Sequence, residues 1–570
     1  MTLPRGLLEA DISAVGIAPA PFEAATVTLT KTEHIQLVMD VAYWRAQFHR
    51  RVAREAYRQR SYRRFFDQLK ADSAKREAVL IAELEVANAK IRDLQQRMFG
   101  RKSERGRCVS ERAAQPGVTR APRGQRPGSA GHGRTMQTGL PQRSERVELD
   151  APQCPQCGLE LGVFPGTEDS EVLEIEVHAY RRVIRRQRYH PRCTCGCVPG
   201  IVSAPAPARL IERGKFGVSV WASVLLDKFL YGRPSHRLIE DLAHRGLQIS
   251  PGTLAGGLQA IAPLFEPLDR ALALKLRSQS HWHADETRWA VFADVAGKVG
   301  HRWYLWVFHS SAVVHYVLDE SRSTAVIEGE LAGVEQGVIS CDRYSAYKKF
   351  ARLHPGVALA FCWAHQRRDF LEFANAYPQL SGWAMGWVDE IGQLYHLNAM
   401  RLQAPGGSRL RATNQAALRQ AVASMASRRD IALGDILLAE PAAKVLRSMK
   451  EHWTGLTVFV KRPWVPMDNN VAERDARLAV VGRKNFYGSA SLWSGQLAAT
   501  MYSLLMTAKL WKLNPRTWLG EYLQACADNG ARAPLELERF LPWAMGATRL
   551  AALRAHATVC TVPAQAFDTS

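Results

Sequence analysis

H-W-H-A-D-E-T-R-W (281–289) is the stretch whose reading decides the fold. Residues 215–275, before it, carry helical patterns. From 281 onward short β-rich runs follow one another, so the period of the apolar positions changes here. R-W-Y-L-W-V-F-H (302–309) and V-V-H-Y-V-L (313–318) predict two further strands, rich in aromatic and β-branched residues. G-V-I-S-C (337–341) reads as a buried strand that delivers Asp342, and A-L-A-F-C-W (358–363) as another. Asp285 sits within the first run. If the Asp285 and Asp342 strands are neighbours in an α/β sheet, their carboxylates meet.

A third acid completes the pattern. Glu473 lies in D-N-N-V-A-E-R (468–474), where Pro466, Asp468 and Asn469 predict a helix start. Glu473 then falls in the first turns and can point back at the aspartates. A carboxylate there also favours the helix dipole, which is the structural alternative. Hard cations such as Mg²⁺ or Mn²⁺ take oxygen ligands, and about three carboxylates can hold two such ions about 3.5–4 Å apart for phosphodiester chemistry. His365, Arg367 and Arg368, in C-W-A-H-Q-R-R-D-F (362–370), follow the strand after Asp342. His365 can approach the acidic site or a scissile phosphate, or serve in packing. Arg474, Arg477, Arg483 and Lys484 can neutralise phosphates near it. Asn469 and Asn470 can orient Glu473 or contact DNA, and capping is the simpler reading. Between Asp342 and Glu473, residues 375–465 read as a helical insertion.

These stretches resemble the transposases of the IS66 family of bacterial insertion sequences. The resemblance rests on H-A-D-E-T (283–287), C-D-R-Y-S-A-Y (341–347), C-W-A-H-Q-R-R-D-F, D-N-N-V-A-E-R and R-K-N (483–485). F-G-R-K-S-E (99–104), C-P-Q-C-G (154–158) and Y-G-R-P-S-H-R (231–237) add to it, in the same order, over roughly residues 70–525. It implies a DDE-type transposase with an RNase H-like core, a helical insertion and Mg²⁺ or Mn²⁺ at Asp285, Asp342 and Glu473. The implied reaction is cleavage at the element's inverted repeats and strand transfer into target DNA. Small accessory proteins encoded by the same element are implied partners. F-Y-G-S follows R-K-N more closely here than in many relatives. Two rival readings are a metal-dependent nuclease without strand transfer and a catalytically silent DNA-binding derivative. The three intact acids argue against the second.

The 570 residues carry a formal net charge of +21 and 47% hydrophobic residues, enough chain for several domains with a sizeable core. The charge favours nucleic acid over an anionic membrane as partner. No uninterrupted apolar run is long enough to span a bilayer and no signal peptide opens the chain, so a cytoplasmic protein is expected. Cysteines cluster between 154 and 197. Cys154 and Cys157 form one knuckle, and R-C-T-C-G-C (192–197) offers Cys193, Cys195 and Cys197 for the second. Four thiolates suit a structural Zn²⁺. Cys193 with Cys195 is the pair assigned, and Cys197 remains a competitor.

Residues 41–64 interleave Arg45, Arg50, Arg51, Arg54, Arg58, Arg60, Arg63 and Arg64 with aromatics, against the single acid Glu55. A helix here could lay arginines on phosphates. Leu80, Leu84, Ala87, Ile91, Leu94 and Met98 form a short a/d seam, for self-association or internal packing. H-R-L-I-E-D-L-A-H-R-G-L-Q-I-S-P-G-T-L (236–254) has the rhythm of a helix-turn-helix or an ordinary helical hairpin. The expected organisation is therefore a basic, zipper-like region (1–99), a basic linker (100–146), a zinc module (147–205) and a helical region (206–275). A catalytic core (276–525) and a tail (526–570) complete it.

Overall fold

The computed structural model describes residues 28–99, 156, 157, 159, 177, 179–190 and 201–554, apart from 295, 296 and 298. The chain divides into two compact units, Met1–Lys102 and Ser103–Ser570.

Among the described residues, the first unit forms one helix, α1 (Lys31–Phe99), of 69 residues. No glycine or proline interrupts it. Thr30 and Glu33 close its start as a capping box. The Glu33 carboxylate accepts the Thr30 backbone N–H at 2.9 Å, and Thr30 Oγ1 accepts the Glu33 N–H at 3.4 Å. At about 1.5 Å per residue the helix is about 100 Å long. The basic-aromatic stretch and the seam share this one rod. Trp44, Phe48, Tyr57, Phe65, Leu80, Leu84 and Ile91 are all exposed on it, while the side chains of Leu94 and Met98 lie outside the described residues.

The 100–146 linker lies outside the described residues, as do Cys154, Cys193, Cys195 and Cys197 of the expected zinc module. Cys157 is described and exposed. A two-stranded antiparallel ribbon, Arg188–Tyr189 with Val202–Ser203, belongs to the same stretch.

The second unit is built on a five-stranded mixed sheet with helices around it. The strands are β1 (His281–Ala290), β2 (Arg302–His309), β3 (Val314–Asp319), β4 (Gly337–Cys341) and β5 (Val357–Phe361). Their spatial order is β3-β2-β1-β4-β5. The first three form an antiparallel meander, and β1, β4 and β5 run parallel. Parallel strands need helical crossovers. The β4-to-β5 crossover is α7 (Ser345–Leu353), and α6 (Thr324–Glu330) precedes β4. β4 is apolar and almost wholly buried, as a strand covered on both faces must be.

Ahead of the sheet stand α2 (Val218–Leu225), α3 (Ser235–His244), α4 (Pro251–Ile261) and α5 (Glu266–Arg277). Ser250 Oγ accepts the Thr253 N–H at 3.1 Å, with Pro251 at the first position of α4, as the sequence predicts. After β5 come α8 (Trp363–Ala376), α9 (Ser381–Gln403), α10 (Arg409–Gly434) and α11 (Glu440–Glu451). Two single-turn helices, Trp453–Leu456 and Val458–Lys461, lead back to the sheet. The stretch expected as an insertion is thus built of helices joined by short loops. It docks where Trp363 Nε1 donates to the Leu456 carbonyl at 2.6 Å. Gly455 permits the approach, because a Cβ there would stand 2.3 Å from the Phe361 ring.

After these come α12 (Asn470–Phe486), α13 (Leu492–Leu510), α14 (Pro515–Asp528) and α15 (Ala547–Arg554). Helix α13 shields the edge strand β3. Thr507 Oγ1 accepts the Val314 N–H at 3.0 Å, and Ser503 Oγ accepts that of Tyr316 at 2.8 Å. Hydroxyls on a helix thus satisfy edge backbone groups that would otherwise invite another strand. Trp282, Trp289, Trp306, Trp363 and Trp387 are fully buried around the sheet and the helical insertion. His315 of β3 is buried between two acids, 2.9 Å from Glu330 and 3.5 Å from Asp269. Burial alone would lower its pKa, but the two carboxylates reverse the sign and raise it to about 10.

Candidate active site

The parallel β1–β4 ladder pairs His281 with Val338 and His283 with Ser340. Continued along the same register, it brings Asp285 level with Asp342. Both residues share a face with His283, because side chains alternate along a strand. Asp285 lies deep in the sheet, opposite Val307 of β2. Asp342 follows the last residue of β4, where its Oδ1 accepts the Tyr344 N–H at 2.8 Å. That turn fixes the carboxylate and starts α7.

Helix α12 packs on β1 and β2 and carries Glu473 in its first turn. The N-cap residue Asn469 does not cap with its side chain. Its side chain is 1% exposed and reaches across to β1 instead. Its Nδ2 donates to the Ala284 carbonyl at 2.8 Å, and its Oδ1 stands 2.9 Å from His283 Nδ1. The capping expected of Asn469 is done by Asp468, whose Oδ1 accepts the Asn470 N–H at 3.1 Å. The Asn469 amide instead serves two groups on β1, which satisfies a buried polar side chain. Asn470 is exposed.

Glu473 meets His365, with Oε1 and Nε2 3.4 Å apart and both side chains 25% exposed. Cys362, at the N-cap of α8, completes a group whose ligand atoms all lie within 4.8 Å of one another. Burial holds the His365 pKa down, against the Glu473 charge that raises it. Burial also pushes the Asp285 carboxyl up to about 7, with the charges of Glu286, Asp342 and Glu473 adding to it. The Glu286 N–H, donated to Asp285 Oδ1 at 2.9 Å, opposes that rise. A carboxyl raised by burial and by neighbouring acids marks a site that attracts positive charge. Their oxygen donors fit hard divalent cations.

Beside the acids lies a histidine cluster. His281 and His283 have ring centroids 4.7 Å apart, and His309 lies 6.0 Å from His283. Burial first, then the neighbouring rings, lowers His281 to about 3. Burial is also the main cause that lowers His283, to about 4. Neutral rings are the consequence. His309 is bonded to Asp475 of α12 at 2.7 Å.

Glu286 points to the opposite face of β1. Its carboxylate accepts the Tyr347 hydroxyl at 2.7 Å and is paired with Arg322. The Arg322 guanidinium also stacks over Tyr344, 3.8 Å from the ring centre. The motifs H-A-D-E-T and C-D-R-Y-S-A-Y are therefore clasped together by a buried pair behind the acids. Sequence reasoning passed over Glu286, Tyr347, Cys362 and the destination of Asn469. The only signal was that they stood inside the motifs already quoted.

The basic residues separate into two groups. Arg368, Arg474 and Lys484 are exposed and Arg367 is half-buried, on α8 and α12. Arg483 instead turns inward and donates to Thr287 Oγ1 at 3.3 Å and to the Arg288 carbonyl. In this arrangement it ties α12 to β1. Asn485 likewise donates to the Gly232 carbonyl at 2.9 Å.

The family profile described as "Transposase IS66 family" matches residues 213–497. Three similar chains come from Sinorhizobium fredii (strain NBRC 101917 / NGR234). "Uncharacterized protein y4jD" is 31% identical over 422 residues, covering 71% of this chain and 80% of the relative. "Uncharacterized protein y4qI" is 27% identical, covering 76% of this chain and 79% of the relative. "Uncharacterized protein y4hP" is 26% identical, covering 70% and 74%. Among the described residues, no helix is long and apolar enough to cross a membrane.

Proposed function

The chain belongs to the IS66 family of transposases, and from that premise we propose that it is a DDE-type enzyme that cuts DNA at the ends of an insertion sequence and joins the freed 3′-hydroxyl to target DNA. The observation that carries this reading is the register that brings Asp285 level with Asp342, with Glu473 delivered by α12. The strand order β3-β2-β1-β4-β5, with β2 antiparallel to its neighbours, supports an RNase H-like core.

Asp285, Asp342 and Glu473 would hold two Mg²⁺ or Mn²⁺ ions, which when bound stabilise attacking and leaving oxygens. The protein's own residues do the rest. Asn469 and the Glu286–Tyr347 pair fix the elements that carry the acids. Arg368, Arg474 and Lys484, with Arg367, offer positive charge to phosphates. Helix α1 offers arginines to non-specific DNA, and its Leu80–Ile91 seam offers an apolar stripe to a second copy. A structural zinc at Cys154, Cys157 and two of Cys193, Cys195 and Cys197 belongs to the same proposal, as do element-encoded accessory proteins.

The test is cleavage and strand transfer on a DNA carrying the element's ends, in Mg²⁺, with products mapped at the phosphodiester. Strand-joined products support the transposase. Cleavage without joining leaves a nuclease. Binding without either, in wild type, overturns the enzyme.

A further inference from the structure

We propose that Cys362, His365 and Glu473 form a binding site for a thiophilic divalent cation, Zn²⁺, beside the two aspartates. Three independent features of the site carry this.

The first is spacing. All three ligand atoms lie within 4.8 Å of one another. In a tetrahedral zinc site with bonds of about 2.0–2.1 Å, nitrogen and oxygen ligands stand about 3.4 Å apart. His365 Nε2 and Glu473 Oε1 are 3.4 Å apart.

The second is an unmet polar need. Glu473 Oε1 is buried and accepts no hydrogen bond, despite the nearby imidazole. A solvent-excluded carboxylate oxygen without a donor is costly unless a cation meets it.

The third is the sulfur. Cys362 Sγ accepts the Asn469 N–H at 3.2 Å, at the start of α12. Burial raises the Cys362 thiol pKa, and the backbone N–H groups of Asn469, His365 and Ala364 work against that rise without reversing it. Two helix N-termini therefore converge on one sulfur, and their N–H donors are aimed at the atom that would carry the ligand charge once a metal binds. On binding, the thiol proton leaves to solvent and a sulfur–metal bond replaces the S–H bond.

The donor set is sulfur, nitrogen and oxygen, which selects zinc over magnesium. Partial exposure of His365 and Glu473 leaves room for a fourth ligand such as water. Under the transposase reading, Glu473 cannot serve this ion and the aspartate pair at once, so zinc occupation opposes Mg²⁺-dependent cleavage. That consequence rests on the proposed function, while the binding itself does not.

Zinc stoichiometry on the full-length chain, by competition with a chromophoric chelator, tests the site. Cys362→Ala and His365→Ala should each bind about one equivalent fewer than wild type. Co²⁺-substituted protein should lose thiolate charge-transfer intensity in Cys362→Ala. His365 is partly exposed, so its variant guards against a folding failure at the buried cysteine. Equal stoichiometry and equal Co²⁺ spectra in wild type and both folded variants overturn the proposal. In wild type, micromolar Zn²⁺ should lower Mg²⁺-dependent cleavage more than tenfold, with recovery on chelation. Loss of an equivalent with cleavage indifferent to zinc overturns the sharing of Glu473. Loss of an equivalent in a protein that never cleaves DNA keeps the zinc site and overturns the transposase reading.

Discussion

The acidic face of the sheet and helix α1 solve opposite problems. On the sheet, three acids far apart in sequence converge through strand register and a helix seated by one buried asparagine. Like charges are brought together in a half-buried space, which costs folding energy and creates affinity for cations. On α1, the helical backbone bonds are local, and arginines and aromatics stand exposed. The contrast teaches where function is concentrated and where it is distributed. A site built by convergence fails when one member is removed. A charged rod gives up affinity in small increments.

The largest expected effect is at the acids. Asp285→Asn, Asp342→Asn and Glu473→Gln should each lower DNA cleavage by about 10³-fold or more, with DNA binding largely kept. Asp285→Asn should leave the metal-free protein at least as stable, because it removes a repelled charge. Mg²⁺ should raise the melting temperature of wild type more than that of the variant. A variant that cleaves near the wild-type rate, or melts identically with and without Mg²⁺ in both proteins, breaks the picture of convergence.

Asn469→Ala comes next. It removes the Nδ2 donor to the Ala284 carbonyl and loosens the start of α12, at about 1–3 kcal/mol of stability. Misplacing Glu473 by about 1 Å should cost about 10²-fold in cleavage. Denaturant melts read with single-turnover cleavage separate the two losses. Full activity in a destabilised protein would make Asn469 purely structural.

His315 gives a pH dependence remote from the acids. Its folded pKa, about 10, lies above the ordinary histidine value. Its contribution to stability is therefore complete below about pH 6.5 and is lost as pH rises through about 10. Urea midpoints across that window should fall more steeply in wild type than in His315→Gln. Parallel curves would show that the pair with Glu330 and Asp269 adds nothing.

The smallest effects per residue belong to α1. Replacing Arg45, Arg50, Arg54 and Arg58 by alanine should flatten the salt dependence of non-specific DNA binding, by about 0.9 in log–log slope for each phosphate no longer neutralised. Single replacements should be barely measurable. A single arginine that abolished binding would mean that α1 is a convergent site after all.

Sequence alone determined the period change at residue 281, the strands that follow it, the cap at Ser250, the helical character of 375–465 and the three acid-bearing motifs. Each is a local property. Apolar periodicity, β-branched and aromatic enrichment, and capping chemistry are written within a few residues of where they act. The α1 helix was less fully legible. The basic stretch and the seam read as separate features, and only the uninterrupted backbone shows them on one rod. Tertiary structure decided the rest. It chose the parallel β1–β4 register that sets Asp285 beside Asp342, and it turned Glu286 away to Tyr347 and Arg322. It drew Asn469 off its helix end to β1, turned Arg483 inward and set Cys362 and His365 against Glu473. For Glu286 and Asn469 the physical reason is the same. A buried polar group must be satisfied by whatever the fold brings within about 3 Å, and those partners stand up to hundreds of residues away along the chain.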